Sequence, residues 1–437
     1  MGNEGGDEAV LTLVIFGTLV GFLLLGVPIA ISLGLTAVLT FVFLGEGFVL
    51  TMVAQRMYSS TTAFTLLAIP FFILAGNLMN TGGITKRVFR FALALVGHLR
   101  GGLGHVNVVA SMIFSGMSGA AVADAAGLGL VEMEAMTKSG YDRRFSAAIT
   151  AASSTIGPVV PPSIAFVIYG SITGVSVGKL FLAGCTPGVL MGIALMVAVY
   201  FVSRRRNYPK EAMASFKELL SSAKEALLAL GTPVIIIGGI LGGIFTPTEA
   251  AVVASVYALF LGLVVYKELA VRDLPGILWD TLVHTLRVMF IISAAGFFGW
   301  LLIHQRIPEQ VITGLTELTA NRWSLLMIII FVLLVLGCFL EGIAVLVITI
   351  PVFMPLIALY GIDPVQFGVI MILCSMLGLL TPPVGMSLYA VSSISGVSIG
   401  PLTREMWPYL LGIFLVLLIM TFFSGFSLWL PNLLMGP

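Results

Sequence analysis

Along the chain, long apolar runs alternate with short polar gaps, and the gaps hold most of the charge. A helix needs about 20 apolar residues to cross the hydrocarbon core of a bilayer. Helices suit such runs, because backbone groups in lipid must be satisfied within the segment. Full spans are predicted over 9–26, 28–44, 62–82, 178–203, 229–245, 247–266, 284–304 and 402–424. Two more runs, 144–173 and 365–395, are interrupted by the pairs Pro161-Pro162 and Pro382-Pro383. Two others, about 102–137 and 323–360, are too long for one crossing and carry glycine, proline or acidic residues at their centres. Each of these is predicted to be a re-entrant helical hairpin that enters and leaves by one side.

Composition excludes a soluble chain. Of 437 residues, 59% are hydrophobic and 9% charged, against roughly 25% charged in a soluble domain. Lipid must be the solvent. A net charge of +1 leaves no nucleic-acid footprint. Cys185, Cys338 and Cys374 lie in apolar stretches without zinc or disulfide spacing, and the four histidines are scattered. Because Met1–Glu8 is acidic where a signal peptide would be basic, the first run is read as a retained span.

Charge then orients the spans. Cytoplasmic loops should be rich in Lys and Arg. With the N-terminus outside, the first hairpin entering from the cytoplasm and the second from outside, 17 of the 21 basic residues fall inside. Both termini are then periplasmic.

The two halves share spaced motifs. Gly157-Pro-Val-Val-Pro-Pro162 matches Gly378-Leu-Leu-Thr-Pro-Pro383, Gly174-Val-Ser-Val-Gly178 matches Gly396-Val-Ser-Ile-Gly400, and Pro187 matches Pro408, all offset by 221 or 222 residues. Each half reads as three spans, a hairpin, a broken helix and a span. The first starts outside and the second inside, so the reading is an all-α polytopic membrane protein of two inverted-topology repeats. The first repeat covers 1–203 and the second 228–437. Residues 204–227 are predicted as a cytoplasmic amphipathic connector, and 268–281 as a similar surface helix. Inverted repeats with broken helices are the mark of secondary transporters.

Chemistry should collect at the breaks. Proline lacks an amide hydrogen and clashes with the preceding turn, so carbonyls are freed at membrane depth, where only protein, water or an ion can meet them. Paired breaks suggest paired cation sites. At the first hairpin tip, Ser115 and Ser118 offer hydroxyls, and Asp124 is an ionisable residue deep in an apolar hairpin. It could ligate a cation or cap the next helix. Glu341, at the second tip, has the same two readings. Helix N-termini near the tips and breaks favour an anion, and nearby hydroxyls could bind it. Ser154, Ser163 and Ser387 are the substrate-binding candidates, although such hydroxyls also bond back to carbonyls. Glu249 in Phe245-Thr-Pro-Thr-Glu-Ala250 reads as a helix-entry residue. Glu132 and Glu134 are read as solvated near the hairpin exit. The stretch Gly174-Val-Ser-Val-Gly-Lys-Leu180 fails as a phosphate loop on spacing. No catalytic motif appears, so the chain is not read as an enzyme, and energy must come from elsewhere, most simply an ion gradient.

At these residues the sequence resembles the large membrane subunit of tripartite ATP-independent periplasmic (TRAP) transporters. Ile69-Pro-Phe-Phe-Ile-Leu-Ala-Gly-Asn77, Ser115–Gly129, Gly157-Pro-Val-Val-Pro-Pro-Ser163, Phe245–Ala250 and Leu380-Thr-Pro-Pro-Val-Gly385 carry the resemblance, which covers almost the whole chain. It implies an elevator-type transporter in a bacterial inner membrane, driven by sodium, without other cofactors. The implied partners are a small four-helix membrane subunit, expected as a separate chain, and a soluble periplasmic binding protein that delivers an organic anion such as a dicarboxylate or sialic acid. By motif position, Ser115, Ser118, Asp124, Gly157 and Pro161 would serve one sodium site, and Gly342, Gly378, Thr381 and Pro382 the other. Some relatives carry a serine where this chain has Ala120. Competing readings are a stand-alone sodium- or proton-coupled anion transporter and an intramembrane enzyme acting on a lipid-linked substrate.

Overall fold

The computed structural model describes residues 4–118 and 121–436, with side chains for 10–114, 121, 124, 125 and 127–436. All regular structure in the described residues is helical. Among the described residues, eight helical segments are long and apolar enough to cross a membrane. Six predicted spans are seen nearly as placed: Glu4–Leu24, Ile29–Phe43, Phe64–Thr81, Val177–Arg206, Pro247–Val265 and Ile399–Phe422.

The other two differ. The connector is not a separate surface helix at its C-terminal end. Ser215 caps a helix by accepting from the Glu218 amide at 3.2 Å, and that helix continues through Leu241. Its 26 residues extend about 39 Å at 1.5 Å per residue, so the charged first turns overhang a hydrocarbon core of about 30 Å. Likewise the expected surface helix at 268–281 is mostly the first part of Leu274–His304, a single helix of 31 residues. Nothing between the amphipathic and apolar stretches stops either helix.

Several helices escaped the hydropathy pattern. Ile84–Val96 and Ile307–Leu318 precede the two hairpins, each entered from a left-handed residue, Gly83 at φ 78° and Arg306 at φ 51°. In the first, Ile84, Val88, Ala92 and Val96 form one buried stripe at helical spacing. The opposite face is polar, and Arg90 reaches Glu218 at 2.8 Å and Glu225 at 2.7 Å on the connector helix. Arg87 pairs with Glu268 at 2.7 Å and lies 3.8 Å over the Tyr266 ring. Gly47–Met52, Val53–Ser59 and Ser424–Met435 are also helical.

Both hairpin regions form helix pairs. The second is Arg322–Phe339 and Gly342–Leu359, separated only by Leu340 and Glu341. The first has arms Gly102–Ser118 and Leu128–Lys138, with a short helix, Ala121–Ala126, near the tip. Both proline pairs break their helices, giving Arg143–Ser154 with Ile164–Thr173, and Pro364–Leu379 with Met386–Ser395. The starts Arg143, Ile164 and Val177 recur as Pro364, Met386 and Ile399 at offsets of 221 or 222. The first hairpin packs on Arg143–Ser154 and the second on Pro364–Leu379. The outer segments then cross over. Ile164–Thr173 packs on Gly342–Leu359, whereas Met386–Ser395 packs on Ala121–Ala126 and Arg143–Ser154. One hydrogen bond ties the two broken helices directly, from the Tyr169 hydroxyl to the Pro364 carbonyl at 2.6 Å.

Candidate functional site

At the first break, backbone bonding stops short of the prolines. Amides of Ile156 and Gly157 still donate to Ser153 and Ser154. Among the described residues, no backbone amide donates to the carbonyls of Gly157 or Pro161. At the second break the same holds for the carbonyls of Thr381 and Pro382. These are the freed acceptors expected of a proline break.

The hairpins come to the breaks through glycine. Asp124 is 3% exposed, and a Cβ at Gly157 would overlap its Oδ2. Asp124 lies within Ala121–Ala126, while the following helix is entered from Gly127, so Asp124 is not the N-cap of that arm. Ser115 and Ser118 belong to the last turn of Gly102–Ser118, and their side chains lie outside the described residues. Pro161 lies four residues after Gly157, inside the same break.

On the second side, Gly378 crosses Gly337 so closely that a Cβ on Gly378 would lie 2.5 Å from the Gly337 Cα. The Gly385 amide, past the proline pair, donates to the Cys338 carbonyl in the hairpin at 3.1 Å. Gly342 faces Ser375 and Met376, where a Cβ would find contacts at 3.5 and 3.2 Å. Glu341 stands at the N-cap of Gly342–Leu359 without a side-chain capping bond of ordinary geometry. Its Oε2 is buried and has no hydrogen-bond partner among the described residues.

The hydroxyl candidates separate into three kinds. Ser163 caps Ile164–Thr173, accepting from the Phe166 amide at 3.3 Å and donating to the Pro158 carbonyl. Both its capacities are engaged in holding the break. Ser154 donates to the Ala151 carbonyl at 2.9 Å, and Thr381 to the Leu377 carbonyl at 2.7 Å. Each has spent its hydrogen, yet its oxygen keeps lone pairs, which suits a cation better than an anion. Ser387 is fully buried, and its hydroxyl has no partner among the described residues. It is therefore the candidate that retains a proton to donate.

Two features were not anticipated. Asn107, buried in the first hairpin arm, donates to Thr150 Oγ1 at 2.8 Å and accepts from Ser153 Oγ at 2.6 Å. A lone asparagine in the apolar run His105–Ala110 was the available signal. Glu132 is buried at 1% exposure, contrary to its reading as solvated, whereas Glu134 is exposed and pairs with Lys138 at 2.6 Å. Residues two apart project to nearly opposite sides of a helix. Glu249 is a helix-entry residue, as read: its Oε2 accepts from the Thr246 amide at 2.7 Å, and Thr246 Oγ1 accepts from the Glu249 amide at 3.3 Å. No cluster of three His, Cys, Asp or Glu residues able to hold a metal occurs among the described residues.

Residues 16–426 match the family described as tripartite ATP-independent periplasmic transporter, DctM component. The chain belongs to that family. This TRAP permease is thus a multi-pass membrane transporter component and not an enzyme. It is 47% identical, over 97% of its length and 98% of the relative's, to the sialic acid TRAP transporter large permease protein SiaM of Vibrio cholerae. It is 41% identical, over 92% and 94% of the two chains, to the C4-dicarboxylate TRAP transporter large permease protein DctM of Pseudomonas aeruginosa. Its fold is similar to that of the Alcanivorax borkumensis YdaH transporter, with a TM-score of 0.64 over 88% of this permease and 90% of that chain, at 14% sequence identity.

Proposed function

We propose that the chain is the ion-coupled permease of a sodium-driven, three-part importer of a small organic carboxylate. The observation that carries this reading is the pair of helix breaks whose carbonyls take no backbone amide, each facing a hairpin with an acidic side chain, Asp124 buried and Glu341 buried at its Oε2. Sodium is cargo here, bound by carbonyls and hydroxyl oxygens. Gly157, Pro161 and Ser154 with Asp124 would serve one site, completed by Ser115 and Ser118. Gly342, Gly378, Thr381 and Pro382 would serve the other. The Asp124 carboxylate would supply the charge that a cation leaving water requires.

The substrate would lie between the breaks, with Ser387 as a hydroxyl donor. Relatives named for sialic acid and for C4-dicarboxylates share one recognisable group, the carboxylate. A sugar acid or dicarboxylate is the proposed cargo. The hairpins and broken helices would move together against the remaining helices, as an elevator. Repeats over 1–203 and 228–437, joined by 204–227, would have opposite orientation in a bacterial inner membrane, with both termini periplasmic. The proposed partners are a small four-helix membrane subunit and a soluble periplasmic binding protein.

The test is uptake of labelled sialic acid and succinate into proteoliposomes holding both membrane subunits, with the binding protein added outside. Uptake should require an inward sodium gradient and the binding protein. Uptake without the binding protein would favour a stand-alone transporter, and uptake driven equally by a pH gradient alone would remove sodium coupling.

A further inference from the structure

Between Val177–Arg206 and Ile399–Phe422 runs an outward-facing groove of about 520 Å³. Ile193, Val197 and Phe201 line one wall, and Leu411, Leu415 and Ile419 the other. Five of these six side chains are about half exposed. The floor is tight, since a Cβ on Gly412 would lie 3.3 Å from Ala194 Cβ. From Leu190 to Arg205 the groove follows its helix for about 22 Å at 1.5 Å per residue. That suffices to cross one leaflet, about 15 Å of hydrocarbon.

One end is charged. Arg205 and Pro408 both line the groove, and Arg204 and Arg206 flank Arg205 in sequence. Arg206 is bound to Glu405 at 2.8 Å. Among the described residues, no ion pair holds Arg204 or Arg205, and both are exposed. The occupant must therefore be apolar for a leaflet's depth and anionic at one end. Another protein helix fits less well: close helix contacts in lipid use small residues, and the small residues here, Ala194 and Gly412, already pack on each other at the floor, while the walls carry Ile, Val, Phe and Leu. Basic pockets between spanning helices do suit anionic lipid headgroups.

We propose that this groove is a binding site for an anionic phospholipid, with one acyl chain along its walls and the phosphate at Arg204 and Arg205. Native mass spectrometry of the purified permease, titrated with phosphatidylglycerol and phosphatidylcholine, tests it. The wild type should bind phosphatidylglycerol about tenfold more tightly, which corresponds to ~1.4 kcal/mol. Joint substitution Arg204→Gln and Arg205→Gln should abolish the preference. Leu415→Trp, at an exposed position that tolerates bulk, should weaken retention of both lipids. Equal binding of the two lipids by the wild type, or unchanged binding in both variants, would overturn the site. So would protection of Val197→Cys from maleimide by the small membrane subunit or a second copy, since the groove would then be a protein interface.

Discussion

Asp124 rests its carboxylate against Gly157, in the space a side chain at that position would take. Asp124 belongs to a short helix near a hairpin tip, and Gly157 lies in the proline break between two helices. Their contact places a buried carboxylate beside carbonyls that take no backbone amide.

This contact yields the first prediction. Gly157→Ala should displace the carboxylate and raise the sodium concentration for half-maximal uptake by about tenfold, ~1.4 kcal/mol of lost binding. Asp124→Asn should weaken sodium activation at least as much. Sodium titrations of uptake in proteoliposomes measure both. If Asp124→Asn leaves the sodium curve unmoved, the residue is a packing element and not a ligand.

The second break depends on the crossing of Gly337 and Gly378. There the obstacle to a Cβ is backbone, which cannot rotate aside. Gly378→Ala should therefore push the hairpin away from the broken helix and cost about 1–3 kcal/mol in overpacking. Thermal unfolding in detergent should register the loss, and transport should fall with it. A fully stable, fully active variant would refute the close crossing.

Ser163 and Ser387 should behave oppositely on removal of the hydroxyl. Ser163→Ala deletes a helix cap, at a cost of about 0.5–2 kcal/mol, with KM for substrate little changed. Ser387→Ala removes a hydroxyl without an internal partner, so stability should hold while KM rises. Parallel melting curves and uptake kinetics on the two variants distinguish the roles. The reverse pattern would exchange them.

Gln366 offers a test of the frame around the site. Fully buried, its amide donates to the carbonyls of Met420 and Thr421 at 2.9 and 3.0 Å. Gln366→Leu keeps the bulk but orphans both acceptors, at about 1–3 kcal/mol for each buried group left unsatisfied. The melting temperature should drop clearly, without a selective change in sodium dependence.

By itself the sequence determined that the chain lives in lipid, where most of its spans lie and where two helices must break. These are local consequences of apolar run length and of proline chemistry, and both act within one segment. Short amphipathic helices such as Ile84–Val96 left no apolar run long enough to read as a span, and their existence depends on a groove to fill. Only tertiary structure decided which acid of Glu132 and Glu134 turns inward, and that Asn107 bridges Thr150 and Ser153. It also decided which hydroxyls stay uncommitted and that the outer segment of each broken helix packs on the opposite half. Those outcomes rest on segments brought together across the fold. Hydropathy averages over a segment, and it carries no information about which neighbour a single polar atom will meet.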